Sequence, residues 1–174
     1  MDFKEYAESA SVTAIYPGRF ELRGFLYTVM GLAGEAGELL EAMYDRDKIY
    51  SENSDILWYL SQLALEVQID PEALENEAKE FSGTSMDMWE SVRQIVSSCT
   101  QVSNVAKKVL RDDGGILTKD KKTKIQFHLA YALNGIMNTA RLLGTDWTEL
   151  AQYNLNKLKS RQERGTLSGS GEDR

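Results

Sequence analysis

Between residues 53 and 67, Ile56, Leu60, Leu63 and Val67 recur at spacings of four, three and four. That period is helical, and the run Asp55-Ile56-Leu57-Trp58-Tyr59-Leu60 makes the segment apolar on most sides. A helix apolar around most of its circumference has to be enclosed by other elements. The chain is therefore expected to be an all-α helical bundle with this segment buried at its centre.

The remaining elements read in order around it. Residues 2–14 form a short helix closed by Tyr16-Pro17-Gly18, and 19–45 a long one. The polar stretch 46–51 reads as a loop. Asp70-Pro71-Glu72 is a strong helix start, with a capping side chain and proline in the first turn, and leads a helix to about residue 81. Residues 82–85 read as a linker. After it come a helix over 95–110, a loop over 112–119 containing Gly114-Gly115, a helix over 121–143, and a last helix capped by Asp146 and running to about residue 164.

The stretch Gly31-Leu32-Ala33-Gly34-Glu35-Ala36-Gly37-Glu38-Leu39-Leu40 lies on the first long helix. Three-residue spacing points Glu35 and Glu38 the same way, and does the same for Glu52 and Asp55 at the start of the next helix. Phe25, Val29, Leu32, Ala33, Ala36, Leu40 and Met43 form the apolar stripe of the first helix, and the two glutamates lie beside it. Glycines inside a helix cost roughly 1 kcal/mol each relative to alanine, so Gly31, Gly34 and Gly37 imply close approach by a helix or a ligand. Four convergent carboxylates require a cation, and oxygen-only donors suit Mg2+ or Mn2+.

Net charge is −7, which argues against a nucleic-acid binder needing a basic footprint. Its distribution is uneven: residues 1–99 carry 19 acids against 7 bases, and residues 100–174 carry 8 against 13. Acids in front and bases behind are what a metal-triphosphate site needs if the halves pack together. A single cysteine, Cys99, excludes an internal disulfide framework and suits a reducing cytoplasm. The apolar stretch 25–36 is short and interrupted by glycine and glutamate, so no membrane span is expected.

The paired E-x-x-E and E-x-x-D, the glycine frame and the D-I-L-W-Y-L continuation resemble the MazG family of all-α nucleoside triphosphate pyrophosphohydrolases. Tyr6 and Thr13-Ala14-Ile15-Tyr16-Pro17 resemble the amino-terminal segment of phage and bacterial MazG-like proteins. Asn154-x-x-Lys157-Leu158-x-x-Arg161-x-x-Arg164-Gly165, with Gly169-Ser170-Gly171-Glu172-Asp173-Arg174, resembles their carboxy-terminal tail.

An internal repeat is also legible. Adding 66 aligns Val29 with Ile95, Ala36 with Val102, Leu39 with Val105 and Met43 with Val109; adding 76 aligns Leu57 with Leu133, Leu60 with Ile136 and Ala64 with Ala140. This suggests a duplicated helix-loop-helix packed as a pseudo-dimer, with an active repeat over about 19–81, a degenerate basic repeat over about 86–160 and a tail over 161–174. In the second copy Gln101, Asn104, His128 and Tyr131 replace the acids. Lys107, Lys108 and Arg111 replace Glu41, Ala42 and Asp45, and resemble the basic residues that single-repeat relatives carry on the helix of their acids.

The resemblance implies a Mg2+-dependent reaction of a nucleoside triphosphate with water, giving monophosphate and pyrophosphate. Glu35, Glu38, Glu52 and Asp55 would hold metal, and either Glu35 or Glu38 would activate the water. Lys107, Lys108, Arg111, Arg161, Arg164 and Arg174 are candidates for phosphate contact, and Trp58 for base stacking, although an aromatic on a buried helix is more often core. His128 reads as structural or phosphate-contacting and Cys99 as a buried small residue. Two other classes remain open: a nucleotide-binding regulator with the same pocket and little turnover, and a helical adaptor whose acids are surface charge. The sequence leaves a further homodimer undecided.

Overall fold

A computed structural model describes residues 1–81 and 86–167. Among them it contains seven helices and no strand: α1 (Phe3–Ser11), α2 (Leu22–Glu41), α3 (Arg46–Glu66), α4 (Pro71–Glu80), α5 (Met88–Asp112), α6 (Lys119–Leu142) and α7 (Trp147–Glu163). The fold is an all-helical bundle. None of these helices is long and apolar enough to cross a membrane. The expected linker at 82–85 lies outside the described residues.

The central position expected of α3 is observed. It touches α1, α2, α4, α6 and α7, and Ile56, Leu57, Leu60, Leu63 and Ala64 are fully enclosed. Helix α2 packs against α3 on one side and α5 on the other, and α5 pairs with α6. All seven helices contribute to one continuous apolar core.

Two expectations are corrected. Residues 46–51 are the first turns of α3, not a loop. Asp45 caps them, accepting from the backbone N–H groups of Asp47 and Lys48 at 3.1 and 3.2 Å. Ile49 is buried and Tyr50 packs edge-on to Tyr153 at 5.1 Å, so one apolar anchor in a polar run suffices to extend the helix. Glu52 and Asp55 consequently lie well inside α3, not at its start. On α2, Leu39 is buried while Leu40 is 40% exposed. The core stripe is thus rotated toward the side that carries Glu35.

Side-chain caps from Asp2, Asp45, Asp70, Asp87, Thr118 and Asp146 close every helix start but that of α2. Helix α2 is anchored instead by a buried carboxylate at the end of α3. Glu66 accepts the Tyr16 hydroxyl at 2.8 Å and the Phe20 backbone N–H at 2.6 Å. Gly18 takes a positive φ of 72°, and its carbonyl accepts the Gly24 N–H at 2.9 Å. A Cβ at Gly24 would sit 2.5 Å from that carbonyl oxygen, so glycine is required where α2 crosses this loop.

Glu66→Ala would leave the buried Tyr16 hydroxyl and the half-buried Phe20 N–H without their acceptor, at about 1–3 kcal/mol for the first and less for the second. Urea unfolding is expected to show a loss of about 2–4 kcal/mol for this variant, and a smaller loss for Glu66→Gln, which keeps one acceptor oxygen. Equal stability of Glu66→Ala and the parent would show that the loop is held by other contacts.

Candidate metal centre

The stripe Leu32, Ala36 and Leu39 seats α2 on the core and places Glu35 at the α2–α3 edge. Glu52 and Asp55 reach the same edge from one turn of α3. One carboxylate oxygen from each of Glu35, Glu52 and Asp55 lies within 4.8 Å of the others. Glu52 is buried and Glu35 half-buried. Three like charges in so small and sheltered a space repel strongly. Burial first, then Asp55, Glu38 and Glu52, push Glu35 up to about 8, while Lys157 pulls it down.

That lysine comes from α7. Its Nζ donates to Asp55 Oδ2 at 2.6 Å and lies 3.4 Å from Ser51 Oγ. Both members of the pair are sheltered, at 12% and 14% side-chain exposure. Asn154, one turn earlier, donates to Asp55 Oδ1 at 3.3 Å and accepts the Tyr6 hydroxyl at 2.8 Å. Asp55 is thus held by a chain of buried polar groups running from α1 through α7.

An aromatic wall adjoins the acids. The Tyr59 ring lies over Gly31, where a Cβ would come within 2.0 Å of it. Burial, the Tyr27 hydroxyl and the charges of Glu35 and Asp55 raise the Tyr59 phenol above its ordinary value. Tyr27 in turn stacks on Tyr16 at 4.6 Å. The expected close approach therefore explains Gly31. Nothing lies within 4 Å of a Cβ built on Gly34 or Gly37.

Over 80 residues the chain is 34% identical to the Gene 37 protein of Mycobacterium phage L5, covering 46% of this chain and 70% of that protein. The chain belongs to the family of that protein. No family model matches the chain, and no solved structure matches it. The gene 37 name states no activity.

Glu38 is exposed and lies outside the trio, near enough to act on the Glu35 charge. Trp58 is core: its indole N–H faces Thr13 Oγ1 at 3.1 Å and the Ala10 carbonyl at 3.4 Å. Lys107 and Arg111 are exposed and Lys108 half-buried; Arg111 binds Asp112 at 2.6 and 2.9 Å. Gly115, just beyond, packs on Leu22 at the start of α2, roughly 20 Å along the helix axis from Glu35 at 1.5 Å per residue. The cation acting on Glu35 is instead Lys157. Arg161 is buried, and Arg164 is exposed with its Nε 3.3 Å from the Ser160 carbonyl. Arg174 lies outside the described residues.

In the region aligned with the acids, Asn104 lies 3.4 Å from Gln101, His128 is half-buried beside Phe127, and Tyr131 packs on Phe81 at 5.1 Å. Cys99 is fully buried, and burial pushes its thiol up to about 12. Sequence reasoning gave no site role to Tyr59, nor to Lys157 and Asn154, which it read only as part of the carboxy-terminal motif. The three-residue spacing of Asn154 and Lys157 puts them on one face, which was the available signal.

Glu35 ionises near 4.5 in an ordinary environment and near 8 in the fold. The folded chain thus holds a proton that the unfolded chain releases, and stability from this group is full below about pH 4.5 and lost as pH rises toward 8. Thermal unfolding of the metal-free parent is expected to decline over that window relative to Glu35→Gln. Parallel curves for the two proteins would refute the coupling of these carboxylates.

Proposed function

We propose that this chain is a Mg2+-dependent nucleoside triphosphate pyrophosphohydrolase of the MazG type, converting a ribo- or deoxynucleoside triphosphate and water into the monophosphate and pyrophosphate, with Mn2+ as the alternative ion. The supporting observation is the sheltered trio Glu35, Glu52 and Asp55, whose oxygens lie within 4.8 Å of one another. Its donors are hard, anionic and mutually repelling, which fits a divalent cation of the Mg2+ type. When bound, such an ion neutralises phosphate charge and polarises the phosphorus under attack.

The chain's own groups divide the remaining work. Glu35, Glu52 and Asp55 hold the ion. Glu38, beside the trio but outside it, is left to orient a water and take its proton. Lys157 already neutralises Asp55. In this reading it shares its charge with the bound triphosphate, joined by the arginines 161, 164 and 174 that follow it. The α5–α6 pair is the second copy of a duplicated unit, which carries Gln101, Asn104, His128 and Tyr131 at the positions of the acids.

Monophosphate and pyrophosphate release from a panel of nucleoside triphosphates tests the reading, together with melting curves with and without Mg2+. The parent is expected to turn over and to be stabilised by Mg2+, because an ion that binds only the folded state raises stability by mass action. Glu38→Gln is expected to lose about 100-fold or more in turnover while keeping the Mg2+ shift. Glu35→Gln is expected to lose both. A parent that binds metal and nucleotide without turnover is the regulator instead, and one that binds neither overturns the metal centre itself.

A further inference from the structure

The proposed reaction leaves the nucleobase without a partner, because Trp58, the stacking residue expected from the sequence, is core. The base has to lie within a nucleotide's length of Glu35. Two turns earlier on α2 stands Tyr27, about 12 Å along the axis at 1.5 Å per residue and about 80° round it at 100° per residue. Tyr59, whose ring covers Gly31 between them, feels the charges of Glu35 and Asp55 and is hydrogen-bonded to Tyr27. The acids and Tyr27 are thus two ends of one wall.

Beyond Tyr27 the wall opens on a groove of about 630 Å³, the size of a small-ligand site. Pro17, Leu22, Leu26 and Met30 give it apolar sides, and Met30 is 67% exposed. Tyr27 lines it too, with its ring stacked on Tyr16 at 4.6 Å and 38% of the residue still exposed. A planar ring entering the groove adds a third member to that stack. Two charged residues complete the lining, Glu21 and Arg23, both exposed. Glu21 stands at the start of α2 yet makes no capping bond. Among the described residues neither it nor Arg23 enters an ion pair. A carboxylate and a guanidinium that share a groove without pairing match a ligand carrying two acceptors beside two donors. Guanine has this pattern: O6 and N7 accept both bonds of an arginine fork, and the neighbouring N1–H and N2–H suit a carboxylate, which only accepts. Adenine carries a donor in place of O6, and pyrimidines have no N7.

We propose that the groove beside Tyr27 is a guanine site, with the ring stacked on Tyr27, Arg23 donating to O6 and N7, and Glu21 accepting from N1–H and N2–H. The inference rests on the triphosphate reading of the metal centre, which sets the phosphates near Glu35. It makes guanosine and deoxyguanosine triphosphates the preferred substrates.

Equilibrium dialysis of the full chain against GMP, AMP, CMP and UMP in Mg2+ reads the groove apart from turnover. GMP is expected to bind at least tenfold more tightly than the other three, the discrimination of a good bidentate contact. Arg23→Ala and Glu21→Ala, both at exposed positions, are each expected to weaken GMP about tenfold and to remove most of the preference, with unchanged helical circular dichroism. Met30→Trp, which fills the groove from an exposed position, is expected to abolish GMP binding. Absence of GMP binding, affinity equal to that for AMP, or a preference that survives Arg23→Ala and Glu21→Ala overturns the guanine site. Among triphosphates, kcat/KM is expected to favour GTP and dGTP at least tenfold. Equal hydrolysis of every base overturns the site and leaves the reaction standing. Selective GMP binding by a chain that hydrolyses no triphosphate upholds the site and overturns the reaction.

Discussion

The organisation of this molecule follows from carboxylates carried by its most enclosed helix. Helix α3 is surrounded by five neighbours, yet it bears Glu52, Asp55 and Glu66 with little access to water. A buried carboxylate is tolerable only when donors or counter-charges reach it. The surrounding elements supply them. The loop before α2 brings the Tyr16 hydroxyl and the Phe20 N–H to Glu66, and α7 brings Lys157 and Asn154 to Asp55. The arrangement of loop, α1 and α7 is in this sense a solution to the charges of α3.

The two ends of α3 solve the problem differently. At Glu66 both oxygens meet donors at close range and the loop is locked. At Asp55 Lys157 meets a cluster of three carboxylates, and burial together with the neighbouring acids leaves Glu35 with a strongly raised proton affinity. The first end fastens a loop, whereas the second gathers like charges at one edge of the bundle. That cluster of like charges lies beside an aromatic wall formed by Tyr59 and Tyr27.

Much of the scaffold was legible in the sequence because burial leaves a period. The apolar circumference of α3 announced its central place, and Asp70-Pro71 marked the start of α4 by chemistry that permits little else. Segment 46–51 was not legible, because a single buried Ile49 leaves no period to detect. The acids were recognised by spacing, but spacing cannot measure depth. It assigned Glu38 to the cluster where the fold leaves it at the rim. The glycines of α2 form one motif in the sequence and divide in space: Gly31 is covered by the Tyr59 ring, while Gly34 and Gly37 face outward. Lys157 was hidden for the opposite reason. In a tail rich in bases, only its three-residue spacing from Asn154 separates the lysine that turns inward from those that stay in water.

The Lys157–Asp55 contact joins residues 102 positions apart, and the Tyr6–Asn154 contact joins residues 148 apart. On a ribosome, which emits the chain from its amino terminus, α2 and α3 leave the exit tunnel long before α7 is made. Their three acids then face one another without the lysine, so charge repulsion opposes closure of the α2–α3 edge until the last helix arrives. The order of synthesis thus makes docking of α7 the event that completes the site, and a chain stopped short of residue 157 would carry the acids in their most frustrated form.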